Sequence, residues 1–315
     1  MKLTNFKNYS YFLLILLFAC NPCEDGTGND KNKNYIFYQA NSSDKSLIFR
    51  FDYENFLIKE VSEKFELGES SHKEKIITFN DDSVLIYDVF SLESFLVLDN
   101  VPGLSIKNCF LNSTGNIFAV RSKENELYKS DLSSNLEFLK SNLLDYKCAL
   151  FGDNVYFWTS GNKFTLNSIN IQNSNELSIN LNLSKNNISD LSANEDNIVF
   201  SNYDNISSKI YILSNNLQVI DTSKTIDRPD TKVVLLNKDI VYYDKTKIYS
   251  ENDEVLFESI DETILNIEYN NKLNIVFLYV ENNSTNEKSI YYAKYQDNGK
   301  IENLLLLINK AEKAN

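Results

Sequence analysis

Nucleophilic and acid–base chemistry needs imidazole, thiol or paired carboxylates, and this chain offers few of them in useful spacing. Its one histidine, His72, stands in the polar run Ser70-Ser71-His72-Lys73. Any Ser/His/Asp or Cys/His arrangement would depend on that single residue, so His72 reads as a surface side chain. The four cysteines are Cys20, Cys23, Cys109 and Cys148. Only Cys20-Asn21-Pro22-Cys23 has a metal- or redox-type interval, and no second pair completes a zinc site. Acidic pairs stand at Asp81-Asp82 and Glu195-Asp196, just ahead of apolar strands. Asp and Asn favour such turns because their side chains bond nearby backbone, and that reading outweighs acid–base catalysis. Tyr156, Phe157 and Trp158 could stack on a sugar or peptide, but core aromatics of a strand explain them without a ligand. Glycine-rich phosphate loops are absent, and the acidic residues of 21–33 lack the spacing of a calcium loop. The expectation is a non-enzymatic protein with no cofactor and no metal.

The elements that would position any site are strands. A polar turn followed by an apolar, β-branched or aromatic run recurs at Asn34-Tyr35-Ile36-Phe37, Asp82-Ser83-Val84-Leu85, Asn116-Ile117-Phe118-Ala119 and Asn154-Val155-Tyr156-Phe157. It returns at Asn197-Ile198-Val199-Phe200, Asp239-Ile240-Val241-Tyr242 and Asn274-Ile275-Val276-Phe277. A second strand follows each copy, for example Ile210-Tyr211-Ile212, and often a third, such as Leu217-Gln218-Val219-Ile220. No stretch keeps a helical period with caps, and Asp297-Asn298-Gly299 is a strong hairpin turn. A spacing of about forty residues indicates a solenoid or propeller, because one small sheet is marginal in water and must bury its faces on neighbours. The fold expected is all-β: a single β-propeller over 34–308, of seven blades with three to four antiparallel strands each. Blade two leaves little room for an outer strand, the first copy lacks an obvious inner strand, and Leu304–Ile308 is expected to complete the ring on the N-terminal blade.

Cys109 lies seven residues before Asn116 and Cys148 six before Asn154, which places both on innermost strands of consecutive blades. There they form either a disulfide, in an oxidising compartment, or two buried thiols.

The net charge of −13 repels nucleic acid and anionic lipid, so nucleic-acid binding is not expected. Lys2 and Lys7 precede a short apolar run, Tyr11 to Ala19, which reads as a secretory signal over 1–19 rather than a membrane span. Leu17-Phe18-Ala19-Cys20 resembles the bacterial lipobox. The resemblance implies that Cys20 becomes the lipidated first residue of the mature chain, carrying diacylglyceryl and acyl (palmitate-type) groups. Asn21 after the cysteine goes with outer-membrane rather than inner-membrane retention. Residues 20–33 read as a flexible tether and 309–315 as a C-terminal tail.

One copy reads Ser113-Thr114-Gly115-Asn116-Ile117-Phe118-Ala119, then Glu126-Leu127-Tyr128-Lys129-Ser130-Asp131. It resembles the WD40-like repeats of the periplasmic Tol-system propeller and its relatives, whose pattern runs Ser-x-Asp-Gly-x-x-Ile-Ala-Phe and then Leu-Tyr-x-x-Asp. The likeness covers the rest of the chain only as a rhythm, and the Gly-His and Trp-Asp pairs of true WD40 repeats are missing. The resemblance implies the propeller fold; with the lipobox-like Cys20, the function expected is that of a membrane-anchored, extracytoplasmic lipoprotein whose propeller binds or scaffolds another envelope protein, on the periplasmic or surface side. The alternatives are a propeller lyase or hydrolase acting on glycans or peptides, and a surface-exposed adhesin.

Overall fold

The computed structural model describes Tyr11–Phe12 and residues 35–309, apart from 43–45, 53–56, 63, 73, 134, 160–163, 184–186, 271–273 and 297–298. Cys20, Cys23, the tether and the tail from 310 onward lie outside the described residues.

Every regular element among the described residues is a β-strand, and the strands sort into seven sheets in chain order. The recurring phrase forms the second strand of its sheet in sheets one and four to seven, and the third in sheets two and three, which carry an extra inner strand. In the fourth sheet, for example, Ala149–Phe151 pairs with Asn154–Thr159, which pairs with Phe164–Asn170 and then Glu176–Leu181. Successive side chains on a strand face opposite sides, and here both sides are dry. Val155 and Phe157 pack toward the third sheet, while Tyr156 and Trp158 pack toward the fifth. Burial on both faces explains why the phrase is continuously apolar rather than alternating.

Apolar clusters of this kind join sheet one to two, two to three, and so on to seven. The ring closes where Phe51 of the first sheet meets Tyr292 of the seventh, centroids 6.2 Å apart. No strand is exchanged at that seam among the described residues. Ile301–Asn309 pairs with Lys288–Tyr295 inside its own sheet. The expectation that Leu304–Ile308 would complete the N-terminal blade is therefore corrected: the turn at Gly299 folds the segment straight back on its predecessor.

Among the described residues the inner edge of the first sheet carries Tyr11–Phe12, paired with Asn41–Ser42. The second sheet ends at Ser94–Leu98 and gains its fourth strand from the inside, Glu66–Leu67 on Lys75–Phe79. The shortage read from the sequence at blade two is thus made up on the inner edge.

The acidic pairs do sit in strand-leading turns, but the residue that caps the turn is the asparagine before them. Asn80 Oδ1 accepts from the amides of Asp82 and Ser83, and Asn194 Oδ1 from those of Asp196 and Asn197. Asp81 instead faces Lys123 at 2.6 Å on the surface.

Candidate functional site

One short segment braces the middle of the ring. Leu67 accepts no side-chain freedom there: it is fully buried between sheets one and two, and its amide donates to Gln39 Oε1 at 2.6 Å. Gly68 donates to Ile77 O at 2.9 Å and lets the chain pass the third sheet, because a Cβ there would stand 2.7 Å from Cys109 O. Glu69–Ser70 then runs parallel to Ile106–Leu111 on the inner edge of sheet three. Glu69 Oε2 accepts from the Leu150 amide at 2.9 Å, reaching sheet four. Residues 66–70 therefore tie four sheets together at the axis.

A cavity of about 520 Å³ lies between this hub and the inner strands of sheets four to seven. Its wall carries Glu69, Lys147, Asp190 and Glu268, with Tyr243 and Tyr269. It opens toward the turns that join first and second strands, at Ser113, Gly152, Asn194 and Asn237. A second hollow of about 350 Å³, lined by Tyr203, Asp230, Asp244 and Lys245, opens at the opposite end, and Tyr243 borders both.

The charges are connected. Tyr243 Oη donates to Asn266 Oδ1 at 3.2 Å, Asn266 Nδ2 donates to Glu268 Oε1 at 3.3 Å, and Lys147 Nζ lies 3.5 Å from the same carboxylate oxygen. Burial alone would lower the Lys147 ammonium, but the carboxylates of Glu268, Asp190 and Glu69 outweigh it and raise its pKa. Glu69 is only 9% exposed, and its Oε1 has no hydrogen-bond partner. Burial pushes its pKa up to about 7, against the pull of Lys147 and the Leu150 amide. The cavity thus holds a carboxyl that exchanges its proton near neutrality beside a fixed ammonium.

The residues singled out in the sequence fall elsewhere. Cys109 and Cys148 are buried free thiols, not a disulfide. Cys109 faces the second sheet and Cys148 belongs to the cluster between sheets three and four, so the third sheet separates them. Burial raises both thiols, Cys148 to about 12 despite the Arg121 guanidinium 3.6 Å from its sulfur. His72 is a packing residue. Its ring fills the space where a Cβ on Gly115 would stand, 2.6 Å away, and Nδ1 accepts from the Glu74 amide. Trp158 is core, edge-on to Phe200 at 4.9 Å.

Glu69, Lys147, Asp190 and Glu268 escaped the reading of the sequence, although a signal for three of them was present. Lys147 and Asp190 lie seven residues before Asn154 and Asn197, and Glu268 six before Asn274. That is the same inner-strand offset that located the two cysteines.

No protein-family model matches the chain, and no curated protein matches it in sequence. Solved structures do match. The β-propeller domain of the Trilobed protease from Pyrococcus furiosus, described as having an open velcro topology, superposes with a TM-score of 0.64 at 10% identity, over 96% of this chain and 100% of that one. An acylaminoacyl peptidase in complex with a chloromethyl ketone gives 0.64 at 12% identity, over 93% of this chain and 52% of that one. The Cps50 (Swd1) β-propeller domain of Myceliophteria thermophila gives 0.56 at 13% identity, over 87% and 99%. The chain spans about half the length of the peptidase. At these identities the likeness shows the fold alone, a β-propeller.

Proposed function

We propose that this propeller is the non-enzymatic, protein-binding or scaffolding module of an extracytoplasmic bacterial lipoprotein, held on a membrane through acyl chains on Cys20. The basic start, the short apolar run and Leu17-Phe18-Ala19-Cys20 support the anchor. The observation that carries the binding role is the pair Ile206 and Ile260, 77% and 88% exposed. Ile206 sits in the turn between second and third strands of sheet five, and Ile260 in the connection from sheet six to seven. In stacked antiparallel sheets those two loop classes emerge at the same end, so two large apolar side chains mark one end of the ring as a docking face.

The test is in-cell crosslinking of a C-terminally tagged chain with mass spectrometry, run beside Cys20→Ala and Ile260→Asp. Capture of one or two envelope proteins, lost in both variants, is the expected outcome, with Cys20→Ala moving to the soluble fraction. Capture that survives Ile260→Asp refutes the docking face, and a membrane-bound Cys20→Ala refutes the anchor.

A second reading, a lyase or hydrolase acting on glycans or peptides, is favoured by Glu69, whose neutral-range acidity suits a general acid. Turnover of such polymers that vanishes in Glu69→Gln would replace the first reading with this one.

A further inference from the structure

We infer that the central cavity is a binding site for a small aliphatic diamine or polyamine. The argument starts from charge that the protein leaves uncompensated. Three carboxyl groups, Glu69, Asp190 and Glu268, line the cavity with one cation, Lys147, and that cation is committed to Glu268. Asp190 is exposed; its main-chain carbonyl accepts from Ser189 Oγ, while its carboxylate makes no hydrogen bond or ion pair among the described residues. Glu69 is nine-tenths buried, and its Oε1 has no hydrogen-bond partner. Burying a carboxyl in this way is costly unless something positive arrives to meet it.

The contrast with the other hollow sharpens the point. There Lys245 lies 3.6 Å from Asp230, and the Asp244 carboxylate accepts from the Thr246 and Lys247 amides and the Tyr249 hydroxyl, so both acids already have partners. The two unmatched acids are thus particular to the hub cavity.

Spacing then selects the cation. Among the described residues no three His, Cys, Asp or Glu side chains are grouped closely enough to hold a metal ion. Glu69 stands on the inner edge of sheet three and Asp190 beside Ser192–Ala193 of sheet five, with sheet four between them, so the site calls for two separated positive charges joined by a flexible spacer. The volume of about 520 Å³ lies in the range of small-molecule sites and excludes a folded partner. Tyr243, Tyr269 and Phe151 supply apolar wall for a methylene chain, and an aromatic face also attracts an ammonium. One ammonium would pair with Asp190 and the other with Glu69, leaving the Lys147–Glu268 pair intact. Pairing favours the ionised form of Glu69, so a proton leaves on binding. The charged groups acting on Glu69 across the cavity are Lys147, which favours that release, and Glu268, which opposes it.

The experiment is isothermal titration of the purified protein with 1,5-diaminopentane and with spermidine, near pH 7 at physiological salt, in phosphate and in Tris. One-to-one saturable binding is expected, with an enthalpy that differs between the two buffers because a proton is released. Asp190→Asn should weaken binding by about tenfold or more, and Glu69→Gln should weaken it and abolish the buffer dependence. Melting curves of both variants confirm that they fold. The inference is overturned if neither amine saturates, or if Asp190→Asn binds as tightly as the parent. It is equally overturned if magnesium chloride at equal concentration displaces the amines, which would mark diffuse attraction to a chain of net charge −13.

Discussion

Replacing Glu69 by Gln should stabilise the protein, and the gain should depend on pH. Burial lifts the Glu69 carboxyl from 4.5 to about 7. The folded state therefore binds this proton more tightly than the unfolded chain, so the contribution of Glu69 to stability is fully present below about pH 4.5 and is lost as the pH rises through the window to about 7. At about 1.36 kcal/mol per pKa unit the full loss is roughly 3 kcal/mol, of which about 2.5 kcal/mol falls between pH 5 and pH 8. Glutamine keeps an oxygen to accept the Leu150 amide and never ionises, so it removes this term alone. Unfolding of parent and variant by denaturant at both pH values isolates it, because every other titrating group is common to the two proteins. The stability advantage of Glu69→Gln should be about 2.5 kcal/mol larger at pH 8 than at pH 5, or roughly 4 °C in Tm for a domain of this size. An advantage that stays constant across that range would refute the assignment of Glu69 as a neutral-range acid.

Three further outcomes follow from the hub and its surroundings. Gly68→Ala places a methyl 2.7 Å from Cys109 O and 2.9 Å from Ile77 Cγ2, and should cost about 1–3 kcal/mol in urea unfolding because the obstacle is backbone. Arg121 is 3% exposed and donates to the carbonyls of Leu144 and Tyr146 and to Asn125 Oδ1, so Arg121→Ala should cost roughly 3 kcal/mol. Lysine at that position should recover only part of the loss, since an ammonium cannot span the same three acceptors. Cys109 and Cys148 should resist a thiol reagent in the folded protein and react on unfolding, with no mass change on reduction that traces to a bond between them.

The ring was legible because its sheets are buried on both faces. A run such as Asn154-Val155-Tyr156-Phe157-Trp158 has to be apolar at consecutive positions, and that repeats as a recognisable phrase seven times along the chain. The hub was not legible. Glu66-Leu67-Gly68-Glu69-Ser70 contains one apolar side chain and looks like a linker, and its burial comes from the four sheets that surround it rather than from any pattern of its own. The turn reading of the acidic pairs had the right chemistry and the wrong residue, because the capping oxygen sits on Asn80 and Asn194, two positions ahead of the first amide that each one caps. The choice between a disulfide and two buried thiols at Cys109 and Cys148 was not legible either, and the thiols are free. Sequence offset fixes which strand a residue occupies, but its direction depends on the parity of the pleat, and Cys109 and Cys148 land in different layers of core.

The seam between the first and seventh sheets bears on how such a chain is made. Apart from Glu69–Ser70, which reaches across the second sheet to Ile106–Leu111, the described strands of each sheet are near neighbours in sequence, so a polypeptide emerging end-first can complete its sheets one after another. Among the described residues no strand of the first sheet has to wait, with bare amides and carbonyls, for a C-terminal partner, which is the circumstance that invites mispairing during synthesis. The last event is then the meeting of side chains such as Phe51 and Tyr292, a joint that can part and re-form without breaking a backbone ladder.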